Sequence, residues 1–581
     1  MDRINKLARF IFLENFYVII CLLVLAVAGA LAYRNAFSGP FMFDDLKQVL
    51  QNPSIQSWQW PWAFLENNRR PVLYATLAWN FHSHGFNSFA FHEFNIRVHV
   101  LAAMMLFLLV RKTLLLPSSN GDLRRNANVL ALASAVLWLL HPVHTQAVTY
   151  IIQRAESLMG LFFLTTMFFS SQYFAAKKPV WFIAAGVTSL LAGLTKEVAL
   201  VLPLMVLFYD RTFISSDFRT ALKNHRPLYI ALSLTWAVMI YLYLTTSPEQ
   251  VLTAGFGMKG MSPLLYLINQ PAVVLHYVRL AVWPNSLVFD YQWPPVEQLR
   301  DLWPTIVVLV SWIALAIAAY RTYRTASFLL LSFLLVLLPS SSVIPLKDLI
   351  FEYRLYLSLS CAAVGFVLVL HYLTQRAVSS RTRSAFFIAC VAIAALVLGG
   401  LTYQRNKMYA SEELVWVDVI KKQPLNARAY NNLGEYLMRQ ERDADAKICF
   451  LQAMALNNTY PDVYANLSTV AGRAGKPQEA LEYAKKAIAM TPGFAIAQNN
   501  AGSALSQLGR YEEAVPYFEK TIALGFTPEG VVQNLAMALS NAGHAEKAVK
   551  VLKEELQRHP ESKAIRALLE RMSYEMNSTR P

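Results

Sequence analysis

Two adjacent carboxylates, Asp44 and Asp45, follow the first apolar stretch in the run Gly39-Pro-Phe-Met-Phe-Asp44-Asp45. A carboxylate beside a reacting hydroxyl can take its proton, so either is a candidate general base. The competing reading is structural, because Asp also favours the position that caps a helix start. The same segment holds Arg69-Arg70-Pro71 and then His92, Asn95 and His99. The last three stand at i, i+3 and i+7, which places them on one helix face. They read as polar groups lining a cavity more readily than as a metal site. Further on come His141-Pro142-Val143-His144-Thr145 with Arg154-Ala155-Glu156, then Lys196-Glu197, then Lys347-Asp348 with Glu352-Tyr353-Arg354. Each cluster brings a cation, and several bring a carboxylate. An Arg fork matches phosphate oxygens and Lys supplies a point charge. Both would stabilise the charge that develops on a departing phosphate. Arg154, Lys196, Lys347 and Arg354 are therefore candidates for holding a donor phosphate. Arg70, His92, Asn95, His99, His141, His144, Glu156, Glu197 and Glu352 are candidates for lining the same cavity. For any one of these residues, a salt bridge between helices is the alternative.

The elements that must position them are membrane helices. Of 581 residues, 55% are hydrophobic and only 15% are charged, against about 25% charged in soluble chains. Apolar stretches fall at 11–33, 95–112, 127–141, 156–175, 180–194, 197–210, 227–246, 303–320, 326–345, 353–373 and 384–403. The expectation is an all-α, polytopic membrane domain of about eleven spans. The first stretch is too long for the apolar core of a signal peptide, has no small-residue cleavage site at its end, and reads as a retained helix with a cytoplasmic N-terminus. The stretch 264–283 contains Asn269, Gln270, Pro271, His276 and Arg279. If it lies along the interface instead of crossing, the basic groups around Arg111, Lys177, Arg219, Arg321 and Arg381 all fall on the cytoplasmic side. The loop 34–94, the other clusters named above and everything after 404 are then outside. The net charge of +15 is accounted for by those loops, and nucleic acid is not an expected partner. The four cysteines, Cys21, Cys361, Cys390 and Cys449, give neither a disulfide framework nor metal spacing.

After residue 404 the composition turns rich in Ala, Glu, Lys and Gln, and a period of 34 residues begins. Asn432, Asn466, Asn500 and Asn534 keep it, as do Ala446, Ala480, Ala514 and Ala548. Gly475, Gly509 and Gly543 follow the same beat, with Glu441 in the first copy. Such a period implies stacked helix pairs with a groove for a peptide or protein. The row of asparagines is the candidate acceptor-binding set. The domains expected are a membrane domain over residues 1–404 with its first outer loop 34–94, a linker 405–424, four repeats over 425–560, and a capping tail 561–581.

Taken together, Phe43-Asp44-Asp45 with Arg70-Pro71, His92-x-x-Asn95-x-x-x-His99, His141-Pro142-Val143-His144-Thr145 with Arg154-Ala155-Glu156, Lys196-Glu197, and Leu346-Lys347-Asp348 with Phe351-Glu352-Tyr353-Arg354 resemble the transmembrane and tetratricopeptide-repeat O-mannosyltransferases. The resemblance covers nearly the whole chain. It implies the GT-C class of membrane glycosyltransferases, followed by a tetratricopeptide-repeat solenoid. It implies a polyprenyl-phosphate sugar donor, with mannose the expected sugar, and inverting transfer to Ser or Thr hydroxyls of a protein acceptor outside the cytoplasm. It implies a catalytic role for the Asp pair, with Asp44 as base and Asp45 as its neighbour or as a contact to metal or acceptor. Which of the two is the base stays open at this point, as does any use of a divalent cation, since none of these residues requires one. The repeat array is short and ends without a retention tetrapeptide for the endoplasmic reticulum. A bacterial inner membrane with periplasmic repeats is expected, with an endoplasmic reticulum membrane and lumenal repeats as the alternative. Two other functions fit the same residues: sugar transfer to a glycolipid or cell-wall polymer, and a non-enzymatic membrane assembly scaffold.

Overall fold

The computed structural model describes residues 2–56, 69–245 and 261–578, and these are helical, without sheet. The chain divides into two compact units, Met1–Val415 and Trp416–Pro581. The membrane unit contains α1 (Asp2–Ala32), α2 (Pro71–His84), α3 (Ser88–Leu114), α4 (Ala127–Leu139), α5 (Arg154–Ala176), α6 (Pro179–Gly193), α7 (Leu202–Phe213), α8 (Arg226–Thr245), α9 (Pro263–Val282), α10 (Leu299–Ala318), α11 (Arg324–Leu337), α12 (Leu359–Ala377) and α13 (Arg383–Asn406).

Among the described residues, seven helices are long and apolar enough to cross a membrane. Two bent pairs raise the number to nine: Ala127–Leu139 with Pro142–Val148, and Glu197–Phe213 with Phe218–Asn224. Two shorter apolar helices, Pro179–Gly193 and Arg324–Leu337, lie where spans were expected. By length and composition seven to nine of the expected eleven spans meet the requirement among the described residues, and the two shorter helices fall on the other two expected stretches. The helix Pro263–Val282 is outside this set; it carries Pro271 in its interior, and Asn269 bonds the carbonyl of Leu265 one turn back at 2.8 Å.

Local sequence explains where helices stop. Pro142 cannot continue α4, and His141 accepts the N–H of Val143 at the break. Asn87 caps α3 by accepting from Phe89 N at 3.1 Å. The packed centre is a ring cluster. Trp138, His99, His144 and Tyr356 meet with centroids 4.7 to 5.5 Å apart, each such pair adding about 0.5–1.5 kcal/mol beyond burial. Gly160 on α5 lets the Tyr356 ring approach, since a Cβ there would stand 2.6 Å from it.

The segment expected as a linker, 405–424, is mostly helix. α13 runs to Asn406 and α14 spans Glu412–Lys422. The reason is an amphipathic spacing that buries Val415, Trp416 and Val419.

In the second unit the helices pair as the period requires: α15 (Ala427–Arg439) with α16 (Asp443–Leu456), α17 (Pro461–Arg473) with α18 (Pro477–Met490), α19 (Ala495–Gln507) with α20 (Tyr511–Ala523), α21 (Glu529–Asn541) with α22 (Ala545–Arg558), and then α23 (Lys563–Ser578). Ala446, Ala480, Ala514 and Ala548 are buried at the helix contacts. Between the helices of a pair the chain passes through left-handed backbone, with φ of 68° at Gly475, 73° at Gly509 and 85° at Gly543. The first copy places Glu441 there with φ 60°.

Candidate functional site

The two aspartates have different surroundings. Asp45 is fully buried. One of its oxygens accepts from Ile152 N at 2.8 Å, the other from Met42 N at 3.2 Å. Burial holds its carboxyl well above the usual range against those two bonds, with Asp44 and Glu412 adding to the rise. Asp44 is half-buried. Its N–H donates to the Tyr150 hydroxyl at 3.0 Å, and the same hydroxyl bonds the Asp44 side chain. Phe43 ahead of it has φ 51°, a left-handed conformation costly for an aromatic residue. That turn directs Asp44 and Asp45 to opposite tasks: Asp45 ties the loop to the start of α5, and Asp44 meets Tyr150.

Arg70, Lys196 and Arg354 each have partners within the protein. Arg70, at the start of α2, makes a two-pronged bond to Glu197, with Nε to Oε1 at 3.2 Å and Nη2 to Oε2 at 2.9 Å. Lys196 pairs with Glu156 at 2.8 Å and lies over the Tyr353 ring at 4.7 Å. Burial lowers the Lys196 ammonium below its ordinary value, with Glu156 opposing and Arg70 reinforcing the fall. Arg354 donates to the carbonyls of Leu349 at 3.0 Å and Asp348 at 3.0 Å. Tyr353 feels Arg354, Glu156, Asp348 and Arg70 together. Tyr74 on α2 stands between Arg70 and Asp44, within electrostatic reach of both. Arg70, Lys196 and Arg354 thus lie within electrostatic reach of one another or of Tyr353, and Tyr74 lies within reach of both Arg70 and Asp44. Lys347 is exposed.

Other expected site residues are placed as framework. Arg154 is fully buried. It donates to Asn95 Oδ1 at 2.5 Å, to Thr76 O at 3.1 Å and to Phe91 O at 3.2 Å, and stacks 4.2 Å over Phe94. Asn95 in turn holds the carbonyls of Val148 and Ile151 at 3.1 and 3.3 Å. His92 bonds Gly39 O at 3.0 Å. His99 bonds Tyr356 Oη at 2.8 Å and Leu139 O at 3.0 Å. His141 and His144 are buried at the break in α4. Glu352 is buried and accepts from Arg405 at 3.1 Å, from Tyr291 at 3.0 Å and from Val288 N at 2.5 Å. Among the described residues, no group of three His, Cys, Asp or Glu side chains could hold a metal ion.

Tyr150, Gln146 and Arg405 escaped the reading of the sequence. Gln146 bridges Phe289 O at 2.7 Å and Tyr353 N at 3.1 Å, so it ties the 285–292 segment to the Tyr353 turn. Residues 246–260 and residues 57–68 of the first loop lie outside the described residues. A half-open apolar cavity of about 110 Å³ lies between the helices, lined by Leu106, Phe163, Met205, Phe328, Leu357 and Val364 among others.

In the repeats, Asn466 donates to Asn431 at 2.9 Å and Glu435 at 3.0 Å. Asn500 donates to Ala465 O at 2.9 Å and Thr469 at 3.0 Å. Both tie the first helix of a repeat to that of the repeat before. Asn432 is buried and Asn534 is exposed.

Models of the tetratricopeptide repeat match residues 425–492 and 466–525. Over a longer stretch the chain is 21% identical to "Protein O-mannosyl-transferase TMTC1" of Homo sapiens, covering 77% of this chain and 56% of that one. It is 23% identical to "Protein O-mannosyl-transferase F38B6.6" of Caenorhabditis elegans, covering 76% and 63%. It is 24% identical to "Protein O-mannosyl-transferase TMTC4" of Homo sapiens, covering 71% and 63%. The chain therefore spans less than two thirds of the length of these relatives. A match over 77% of the chain is longer than the membrane domain alone. The chain is thus similar to proteins named protein O-mannosyl-transferases and carries tetratricopeptide repeats.

Proposed function

We propose that the chain is a membrane glycosyltransferase that moves a sugar, mannose by its similarity to named relatives, from a polyprenyl-phosphate donor to Ser or Thr hydroxyls of a protein acceptor. The observation that carries the reading is the pairing of Asp44, held by Tyr150, with the cations Arg70, Lys196 and Arg354 around Tyr353. The acceptor oxygen attacks the sugar C1 and forms the new glycosidic bond. Asp44 takes the hydroxyl proton, and the bond from C1 to the phosphate oxygen breaks with its electron pair on the phosphate. The cations stabilise that charge. A single displacement inverts C1. Arg354 and Lys196 serve as phosphate contacts, with the exposed Lys347 at the entrance. Arg154, whose donors are bound inside the protein, supports the site from beneath. Asp45 fixes the loop that carries the base.

The apolar cavity supports a lipid-linked donor. Leu357, on its wall, follows Arg354 closely in the chain, so a phosphate at Arg354 and an isoprenoid tail in the cavity are compatible. The acceptor polypeptide lies along the first helices of the repeats, where Asn432, Asn466, Asn500 and Asn534 mark one row. Repeat binding raises the local concentration of acceptor hydroxyls. The site faces away from the cytoplasm, in a bacterial inner membrane or, as the second setting, that of the endoplasmic reticulum.

The test is purified protein with a polyprenyl-phosphate mannose of known anomeric configuration and a Ser/Thr-rich peptide. The product glycoside should carry the opposite configuration by NMR. Retention would overturn the single displacement, and an unmodified peptide would overturn the transfer itself.

A further inference from the structure

We propose that Tyr150 is a positioning residue for Asp44, its hydroxyl held by the Asp44 N–H and turned onto the Asp44 carboxylate so that the base is aimed before an acceptor arrives. This rests on the reading of Asp44 as the base. The geometry is built for one task. The Tyr150 oxygen accepts the Asp44 N–H at 3.0 Å, so its own proton points elsewhere. The Tyr150 hydroxyl has a side-chain hydrogen bond with Asp44, whereas Asp45 acts on it only through its charge. The phenol proton therefore goes to Asp44. The ring cannot swing away. Tyr150 is 2% exposed, Phe289 packs edge-on at 5.2 Å, and Phe43 lies against it at 6.5 Å. One phenol thus holds both the backbone and the side chain of one residue, which fixes the direction of that side chain at little cost in entropy when substrate binds. The other charged or titrating groups facing this point are Asp45 beside it, Tyr74 from α2, and Glu412 and Arg154, which act on Asp45.

A hydrogen bond to a carboxylate favours its charged form. Loss of the phenol proton should raise the pH at which Asp44 becomes a base. Tyr150→Phe keeps the ring and removes the hydroxyl. The expected result is a fall in kcat of about ten- to a hundredfold, a donor KM within about twofold, and an acid limb of the kcat–pH profile moved up by about one pH unit. Difluorotyrosine at position 150 keeps the fold and donates more strongly, so its acid limb should move down. Phe289→Ala, which removes the ring that packs edge-on against Tyr150, should move the acid limb in the same direction as Tyr150→Phe and by less. An acid limb that ignores both changes at Tyr150, beside an inactive Asp44→Asn, overturns the role of Tyr150 alone. Transfer that survives Asp44→Asn overturns the base assignment on which it rests.

Discussion

Asp44 and Asp45 look alike in sequence, yet they should fail differently when changed. Asp45 holds two backbone N–H groups from separate segments. Asp45→Ala leaves both buried donors unmet, at about 1–3 kcal/mol each, so its thermal unfolding in detergent should occur at a clearly lower temperature. Asp44→Asn should unfold as wild type does and be inactive. Arg154 belongs with Asp45. Arg154→Met leaves the buried Asn95 oxygen without its donor and removes the bonds to the carbonyls of Thr76 and Phe91, and should cost about 1–3 kcal/mol. Combined with Asn95→Ala, it should cost less than the two single changes added, because they break one network. An Arg154→Met protein of unchanged stability with a raised donor KM would move Arg154 back among the phosphate contacts.

At the scale of elements, the repeat turns make predictions of opposite sign. Glu441 occupies the left-handed position that glycine takes in the other copies. Glu441→Gly should raise stability by about 0.5–1 kcal/mol. At Gly434 an added Cβ would stand 2.5 Å from the Phe450 ring, so Gly434→Ala should destabilise by about 1–3 kcal/mol. Denaturant midpoints of the full chain separate the two, and a stabilising Gly434→Ala would contradict the close packing. These elements were readable in the sequence because repeats and membrane helices are periodic: alanines at 34-residue intervals, apolar runs of span length. The site was readable only as a set of residue types. The bonds that sort those residues into base and framework join positions far apart, 106 between Asp44 and Tyr150 and 107 between Asp45 and Ile152. Tyr150 and Gln146 carry no motif signal, since a tyrosine or glutamine in a short loop has many ordinary uses. The helix at 412–422 was missed because a short amphipathic stretch next to a composition change resembles a linker.

At the scale of the whole molecule, the proposed function assigns the chemistry to one unit and the acceptor to the other. If that division holds, a chain ending at Gln423 should still transfer to a short Ser/Thr peptide and lose about tenfold or more in kcat/KM toward a long polypeptide acceptor. Equal loss on both acceptors would mean that the repeats serve the membrane unit instead of the substrate. The central claim is narrower than this division: Asp44 is the base of a sugar transfer from a lipid phosphate. The most direct measurement is the rate of label transfer from polyprenyl-phosphate mannose to peptide by wild type and by Asp44→Asn, both purified and shown to unfold at the same temperature. The account predicts label with wild type and a loss of at least about a thousandfold with Asp44→Asn. Comparable rates from the two proteins would contradict it.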